Sequence, residues 1–192
     1  MQVASRKGDM HEQQLYENFN AEAESSVIIL DADPEDMVAA TQKAMEEGKD
    51  LIYQSALRDQ NFFGRADFLF KVKGESKFGN YAYEIWDAKL ANKSKPQYLL
   101  QLCCYSDLLN SIQEYLTPTC VLVYGNSEQE KFNIEEYFVF YRAIKKLYLE
   151  FHESFKVDEL PSPENYTNWG RFSNHAKQIL EKEDHLSQVA GI

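Results

Sequence analysis

Long apolar runs and a cysteine framework are both missing from this sequence. No stretch approaches the roughly 18 consecutive apolar residues that a transmembrane helix needs. The opening residues, MQVASRKGDMHEQQ, have no apolar signal core, so we expect no membrane association and a cytoplasmic location. Of the 3 cysteines, Cys103 and Cys104 are adjacent and Cys120 stands apart. This pattern is not a disulfide framework, and we interpret all of them as small buried side chains.

Glycine and proline are scarce as well, with 8 Gly and 5 Pro among 192 residues. The sequence contains no internal repeat and no low-complexity tract. Hydrophobic residues make up 44% and aromatic residues 14% of the chain, which is typical of a globular protein rather than a disordered or fibrous one. The length fits a single domain over residues 1–192, or one domain with a short appendage, and is enough for a sizeable core.

Positive charge is also in deficit, with 20 Lys and Arg against 31 Asp and Glu and a formal net charge of −11. This balance argues against unassisted affinity for nucleic acid, because phosphate contacts need Lys and Arg. Residues 64–105 instead have an excess of positive charge, with seven basic residues against four acidic ones. The acidity therefore lies in the flanking sequence, as it would on a solvated or partner-facing surface.

The apolar pattern predicts a mixed α/β protein. Helices are predicted at residues 8–23, 33–50, 95–116 and 134–155, with a final helix in the tail. Strands are predicted at residues 25–30, 51–59, 64–72, 81–89 and 120–126, with a short one just before residue 134. Asp9 and Asp33 are candidate helix N-caps, and Gly48 is a candidate helix end. A meander of strands, a crossover helix and a returning strand imply a mixed sheet flanked by helices.

Charged residues at the ends of two predicted strands form the candidate site. Asp87 and Lys89, in WDAK, are two residues apart and project from the same face of a strand. Asp67, in GRADFLF, lies on the preceding strand and can be their neighbour. Two adjacent carboxylates repel each other, and a divalent cation with oxygen ligands relieves that repulsion. Lys89 could then orient a water molecule or offset the charge that develops on a phosphate.

Each of these residues also has an ordinary structural interpretation. A lone Asp-x-Lys triplet is usually an exposed ion pair at a strand end. Gln101 and Tyr105 are four residues apart and share a face of the following helix, where they could simply pack. Glu84 has the opposite strand parity to Asp87, so we leave it out of the site.

The ordered set of motifs resembles a known family. His11, then GRAD, then DAK, then QLCCY as Gln-x-x-x-Tyr is similar to the RecB-like branch of the PD-(D/E)XK nuclease superfamily, whose domains are often fused to a helicase. The likeness runs from about residue 8 to residue 192. It implies a restriction-endonuclease-like mixed β-sheet core flanked by helices. The ending HLSQVAGI resembles an internal point of longer relatives, so we expect either a domain of a larger protein or a shortened homologue.

The resemblance also implies roles for individual residues. Asp67 and Asp87 would hold Mg²⁺ or Mn²⁺, with the backbone carbonyl of Ala88 and the side chain of His11 as further ligands. Lys89 would be the catalytic lysine, with Asp87 and Asp67 beside it as the other catalytic residues. Taken alone, His11 next to Glu12 is more typical of a helix surface.

The substrate in this interpretation is DNA. Gln101, Tyr105 and Arg65 are the implied substrate-binding residues. Four aromatic side chains could stack on bases, although a role in the core is as good an explanation for them: Phe62, Phe63, Trp86 and Tyr105. A helicase domain or subunit is the expected partner.

One departure from the family pattern concerns an iron–sulfur cluster. Relatives commonly hold one with a cysteine before the histidine helix and three near the C-terminus. No cysteine precedes His11, and the tail has Thr167, Gly170 and Ala176 in the corresponding region. Because four thiolates are needed, we expect no cluster. This loss and the net charge favour the alternative function, a catalytically silent nuclease-fold module that binds DNA or a helicase, whereas Asp67, Asp87 and Lys89 favour a metal-dependent nuclease.

Overall fold

The computed structural model describes residues 2–156, 162–165 and 168–186. Thr167, one of the tail positions considered above, lies outside these ranges. The chain forms two compact units, Met1–Lys145 and Lys146–Ile192. The first unit carries every candidate site residue. It contains α1 (Gln2–Glu22), β1 (Ser26–Ile28), α2 (Pro34–Glu46), β2 (Leu51–Asp59), β3 (Phe62–Ser76), β4 (Gly79–Lys89), α3 (Pro96–Gln113), β5 (Thr119–Tyr124), β6 (Gln129–Asn133) and the first half of α4 (Ile134–Ser154).

The sheet of the first unit is mixed and has six strands in the order β1-β2-β3-β4-β5-β6. β2, β3 and β4 form an antiparallel meander. β1 is parallel to β2 and β5 is parallel to β4, and in each case a helix makes the connection, α2 or α3. The predicted mixed α/β architecture with flanking helices is confirmed.

Hydrophobic side chains cover both faces of this sheet. One face packs against α2, α3 and the start of α4; we call this the α3-side core, and it includes Ile52, Ala56, Leu69 and Ile85. The other face packs against α1; this α1-side core is built from Leu15, Leu51, Tyr53, Phe68, Val121 and Val123. Strand alternation explains the division, because successive side chains point to opposite faces. A sheet covered on both faces gives its middle strands a dry environment.

The helices differ from the predicted ones mainly at their ends. α1 begins at Gln2, so Asp9 lies inside the helix and the prediction that it is an N-cap is wrong. Ala4, Arg6 and Lys7 are good helix formers, which lets the helix continue through Gly8. Asp33 does occupy the N-cap of α2, although its side chain makes no capping hydrogen bond. Gly48, with φ of 69°, follows the last turn of α2 in the left-handed conformation that glycine tolerates.

The second unit contains the end of α4, two short 3₁₀ turns at Pro163–Asn165 and Gly170–Phe172, and α5 (Ser173–Lys182). Its internal contacts include a hydrogen bond of 2.9 Å from Trp169 Nε1 to the Pro163 carbonyl. Ala176 and Leu180 of α5 are buried. Within the described ranges, no helix is both long and apolar enough to cross a membrane.

Two glycines allow unusually close packing next to the candidate site. A Cβ at Gly64 of β3 would lie 2.6 Å from Cε1 of Tyr105, so the absence of a side chain lets the Tyr105 ring rest on the strand. A Cβ at Gly125, just after β5, would lie 2.6 Å from the Leu90 carbonyl oxygen. The Gly125 N–H also donates to the Ala91 carbonyl at 3.3 Å. The chain that follows Lys89 is therefore held against the end of β5.

The Gly64 contact predicts that replacing glycine with alanine lowers stability at position 64, whereas the same replacement at position 8 does not. We expect Gly64→Ala to destabilise the protein by about 1–3 kcal/mol, the usual cost of overpacking, because the Tyr105 ring has to move. Gly8→Ala is the matched control, since its Cβ would meet nothing closer than 4.0 Å and alanine is the better residue inside a helix by about 0.5–1 kcal/mol. Thermal unfolding followed by circular dichroism measures both changes. An unchanged melting temperature for Gly64→Ala would contradict the packing argument.

Candidate active site

The candidate site lies where β3 and β4 stop pairing. Their ladder runs from Ser76↔Gly79 to Phe68↔Trp86, and the next positions in the same register are Asp67 and Asp87. β4 continues beyond this point by pairing with β5 through Lys89. In place of a ladder bond, the Ala88 N–H donates to Oδ2 of Asp67 at 2.7 Å. The two carboxyl groups are thus brought together at an opening in the middle of the sheet.

Removal from solvent dominates the electrostatics of this carboxyl pair. Burial raises the pKa of Asp67 well above its usual value, and the negative charges of Asp87 and Glu12 raise it further. Burial also raises the pKa of Asp87, whose residue is only 1% exposed, although the nearby Lys89 and a side-chain hydrogen bond with Asp67 oppose the rise. Holding both carboxylates charged therefore costs free energy of folding.

Lys89 is the counter-charge that the chain itself supplies. It lies on the same strand face as Asp87, as the alternation predicts, and its Nζ forms an ion pair with Asp87 Oδ2. The Nζ also lies 5.4 Å from the centre of the Tyr98 ring of α3. The Lys89 side chain is 19% exposed, so the ammonium sits at the border between the buried carboxylates and solvent.

Glu12 of α1 is a third acidic group near the pair, and the sequence reasoning missed it. Its carboxylate accepts a hydrogen bond from Nε2 of Gln54 and interacts with the Tyr53 hydroxyl, both on β2. Burial raises the pKa of Glu12, and the charge of Asp87 contributes. The available signal was its position three residues before the buried Leu15, which places a carboxylate on the apolar face of α1.

His11, the predicted metal ligand on α1, differs from the other site residues in its contacts. Its Nε2 is buried and receives no hydrogen-bond partner from the described part of the chain. No hydrogen bond or ion pair within that part joins His11 to Asp67 or Asp87. On the same helix it is the neighbouring Glu12, rather than His11, that interacts electrostatically with both aspartates.

Gln101 and Tyr105 approach the site from α3. Gln101 Nε2 donates to the Tyr105 hydroxyl at 2.8 Å, which fits their shared helix face. Burial raises the pKa of Tyr105 to about 12, and the charges of Asp87 and Asp67 are among the causes. Tyr105 is therefore near both aspartates and keeps its proton at neutral pH.

Arg65 and Glu84 make contacts away from the carboxyl pair. Arg65 pairs with Asp31 in the loop before α2, with Nη1 to Oδ1 at 3.0 Å. Glu84 is buried and is bonded by Trp86 Nε1 and the Thr119 hydroxyl. Arg65 thus contacts Asp31 rather than either aspartate through its Nη1, its role in substrate binding stays a prediction, and the Glu84 carboxylate is bonded by groups outside the carboxyl pair.

The aromatic residues considered for base stacking divide between core and surface. Trp86 packs against Phe70, with ring centres 4.5 Å apart, in the α1-side core. Phe62 packs partly against the α3-side core. Phe63 is 42% exposed, and its ring lies 5.4 Å from the Arg58 guanidinium carbon. Of the three phenylalanine and tryptophan side chains, Phe63 is the one open to a base.

The donors at the site fit a hard divalent cation. Asp87 Oδ1 is buried and receives no hydrogen bond from the described part of the chain, and the carboxyl group beside it, Asp67, has its pKa raised by burial and by the charge of Asp87. Oxygen donors of this kind suit Mg²⁺ and Mn²⁺. The described residues contain no preformed group of three or more His, Cys, Asp or Glu side chains that could hold a metal, so the two aspartates would form the core of such a site.

The three cysteines lie on elements that flank the site, and burial raises the pKa of Cys120, with the charge of Asp87 among the further causes. Cys103 and Cys104 are on α3 and Cys120 is on β5, all as free thiols, and Cys103 and Cys120 are buried. The expectation that the chain holds no iron–sulfur cluster stays a prediction. Searches for related proteins found no matching family model and no matching curated protein.

The buried carboxyl pair predicts an unusual pH dependence of stability. Because the pKa of Asp67 is raised in the folded chain, the native state keeps a proton that the unfolded state has lost, and stability falls as pH rises through that interval. We expect Asp67→Asn, measured in EDTA, to be more stable than the wild type at pH 8. The gain should be at least about 2–4 °C in melting temperature, which corresponds to about 1 kcal/mol. The difference should shrink as the pH approaches 4.

Asp33→Asn is the matched control for this measurement, because Asp33 is exposed and makes no side-chain capping bond. It should leave the pH dependence as in the wild type. Parallel stability curves for the wild type and Asp67→Asn between pH 4 and pH 8 would show that the Asp67 carboxyl is not destabilised by its surroundings.

Proposed function

We propose that this protein is a divalent-metal-dependent nuclease that hydrolyses phosphodiester bonds in DNA, with a restriction-endonuclease-like fold of the RecB-like PD-(D/E)XK type. The observation that carries the proposal is the carboxyl pair of the buried Asp87 and the half-buried Asp67, placed beside Lys89 where β3 and β4 stop pairing. The six-stranded mixed sheet with helices on both faces is compatible with this fold. The cytoplasmic location stays a prediction from the sequence.

Asp67 and Asp87 are the residues that would hold Mg²⁺ or Mn²⁺, with the Ala88 carbonyl, His11 and Glu12 as candidate further ligands. A bound cation of this type polarises a phosphoryl oxygen and lowers the pKa of a coordinated water. The hydrogen bond from the Ala88 N–H fixes the orientation of the Asp67 carboxylate. Preorganisation of this kind lets a site act without rearranging its charges during the reaction.

Lys89 and Tyr105 supply the polar groups that face a substrate. The Lys89 ammonium can donate a hydrogen bond to the attacking water or to a phosphate oxygen that gains negative charge. Tyr105 keeps its proton at neutral pH and can donate it in a hydrogen bond to a phosphate oxygen. Gln101 Nε2 donates to the Tyr105 hydroxyl oxygen at 2.8 Å and so acts as a positioning residue.

The preferred substrate in this proposal is single-stranded or frayed DNA. Phe63, exposed at the start of β3 with Arg58 over its ring, provides one stacking surface for a base. A net charge of −11 weakens the grip on a duplex, because duplex binding depends on neutralising many phosphates. We therefore propose that a helicase domain or subunit delivers the strand.

A second candidate function is a catalytically silent module that binds DNA or a helicase partner. It is favoured by the net charge and by the ion pair between Lys89 and Asp87, which neutralises one buried carboxylate within the chain itself. Hydrolysis distinguishes the two candidates, since a binding module has no use for a metal-activated water.

We expect the protein to hydrolyse DNA only when Mg²⁺ or Mn²⁺ is present, with single strands cut in preference to duplexes. Asp87→Asn and Lys89→Ala should each lower the rate by at least about 100-fold, the usual effect of losing a group that stabilises developing charge. Labelled single- and double-stranded DNA, incubated with and without EDTA, provides the measurement.

Lys73→Ala is the matched control for Lys89→Ala, because Lys73 is an exposed lysine of β3. It should retain the wild-type rate within a few-fold. Cleavage that survives EDTA, or that Asp87→Asn leaves unchanged, would refute the mechanism. Inactivity with both metals and both substrates, combined with measurable DNA binding, would favour the silent module.

A further inference from the structure

Gln54 has a backbone conformation that is out of place in a strand. Its φ is 60°, in the left-handed region that residues other than glycine seldom adopt. It stands in the middle of β2, between the pairs Tyr53↔Phe68 and Ser55↔Ala66. The register puts Gln54 opposite Asp67, and the ladder skips this pair. The irregularity of β2 therefore falls at the level of the candidate site.

The other left-handed residues have ordinary reasons for their conformation. Within the described ranges, the other non-glycine residues with positive φ are Gln60, Glu114, Ser127 and Asp184. Gln60 and Ser127 lie in turns between strands, and Glu114 and Asp184 lie just past helix ends. Chain reversal and helix termination favour positive φ at such places. Neither reason applies to Gln54, so its strain needs another explanation.

The conformation changes the face to which Gln54 points. Ile52 and Ala56 belong to the α3-side core, and regular alternation would send residue 54 to that same face. Instead, Gln54 Nε2 donates to the carboxylate of Glu12 on α1, where Tyr53 also interacts. Two consecutive side chains of one strand thus contact one carboxylate, which a regular strand cannot achieve.

We propose that Gln54 is a positioning residue whose left-handed backbone holds the Glu12 carboxylate in a fixed orientation on the α1 side of the sheet, at the level of Asp67. This inference rests on the proposed metal-dependent function. The neutral amide suits the task, because it fixes the direction of the Glu12 oxygens without neutralising their charge, as a lysine or arginine would. Partners that orient the ligands of a metal contribute strongly to its affinity. Glycine would adopt this backbone without strain but would lose the amide.

The test separates the backbone role of Gln54 from its side-chain role. Gln54→Gly removes the amide and relieves the strain, so the melting temperature in EDTA should stay the same or rise. The dissociation constant for Mn²⁺ alone, measured by calorimetry or by electron paramagnetic resonance, should increase about 10- to 100-fold. If Gln54 only stabilised the fold, its replacement would lower the melting temperature and leave the dissociation constant for Mn²⁺ unchanged.

Gln60→Gly is the matched control, since Gln60 is another glutamine with positive φ, 41°, but lies in the turn between β2 and β3. It should leave Mn²⁺ affinity unchanged. Gln54→Asn provides a second variant in case Gln54→Gly does not fold. Asparagine tolerates the left-handed region, while its shorter side chain draws the amide back from Glu12. It should also bind Mn²⁺ more weakly than the wild type.

The outcomes distinguish this inference from the proposed function. A wild-type protein that binds no Mn²⁺ would overturn the proposed function and this inference together. Wild-type affinity in Gln54→Gly or Gln54→Asn would overturn the positioning role alone. Equal losses of affinity in Gln54→Gly and Gln60→Gly would assign the effect to backbone strain, which also overturns it. Weakened binding in the Gln54 variants only, without loss of thermal stability, supports it.

Discussion

The removal of two neighbouring carboxyl groups from solvent, Asp87 fully and Asp67 partly, is the constraint on which the electrostatics of the first unit depend. Asp67 and Asp87 occupy neighbouring positions, at the point where β3 and β4 separate, in the middle of a sheet that is covered on both faces. Charged groups in such surroundings are stable only with partners. The chain provides a lysine for Asp87, a backbone N–H for Asp67 and an opening between two strands. These carboxyl groups therefore lower the stability of the folded chain, and unfavourable groups of this kind are typical of functional sites.

The topology decides which groups surround this place. β4 leaves β3 after Trp86 and pairs with β5 instead, so residues on either side of the opening come from elements distant in sequence. α1 contributes Glu12, and α3 contributes Tyr105 through the gap that Gly64 leaves. A single continuous sheet would have buried the carboxylates without access. The departure of β4 from β3 is thus what turns a strand end into a possible reaction site.

Sequence patterns were sufficient for the regular parts of this structure and insufficient for the irregular ones. The meander and the two crossover helices follow from apolar periodicity, and the ion pair of Asp87 with Lys89 follows from strand alternation. The beginning of α1 was missed because Asp9 has the chemistry of a cap but is preceded by good helix formers. Gln54 was missed because its contact with Glu12 depends on a left-handed residue inside β2, which no periodic pattern encodes, whereas Glu12 had a signal in its helical spacing to Leu15. The pairing of Arg65 with Asp31 depends on the course of a loop, which spacing along β3 does not describe.

The hydrogen bond between the Ala88 N–H and Asp67 Oδ2 gives the protein a built-in spectroscopic reporter. An amide proton shared with a carboxylate is deshielded, and it returns to an ordinary resonance when the carboxylate is protonated or turned away. In a nitrogen–proton correlation spectrum, the single peak of Ala88 would follow the charge on Asp67 directly. It would also exchange slowly with solvent deuterons as long as the bond stays closed. One backbone nucleus thereby records the state of the carboxyl pair without any modification of the protein.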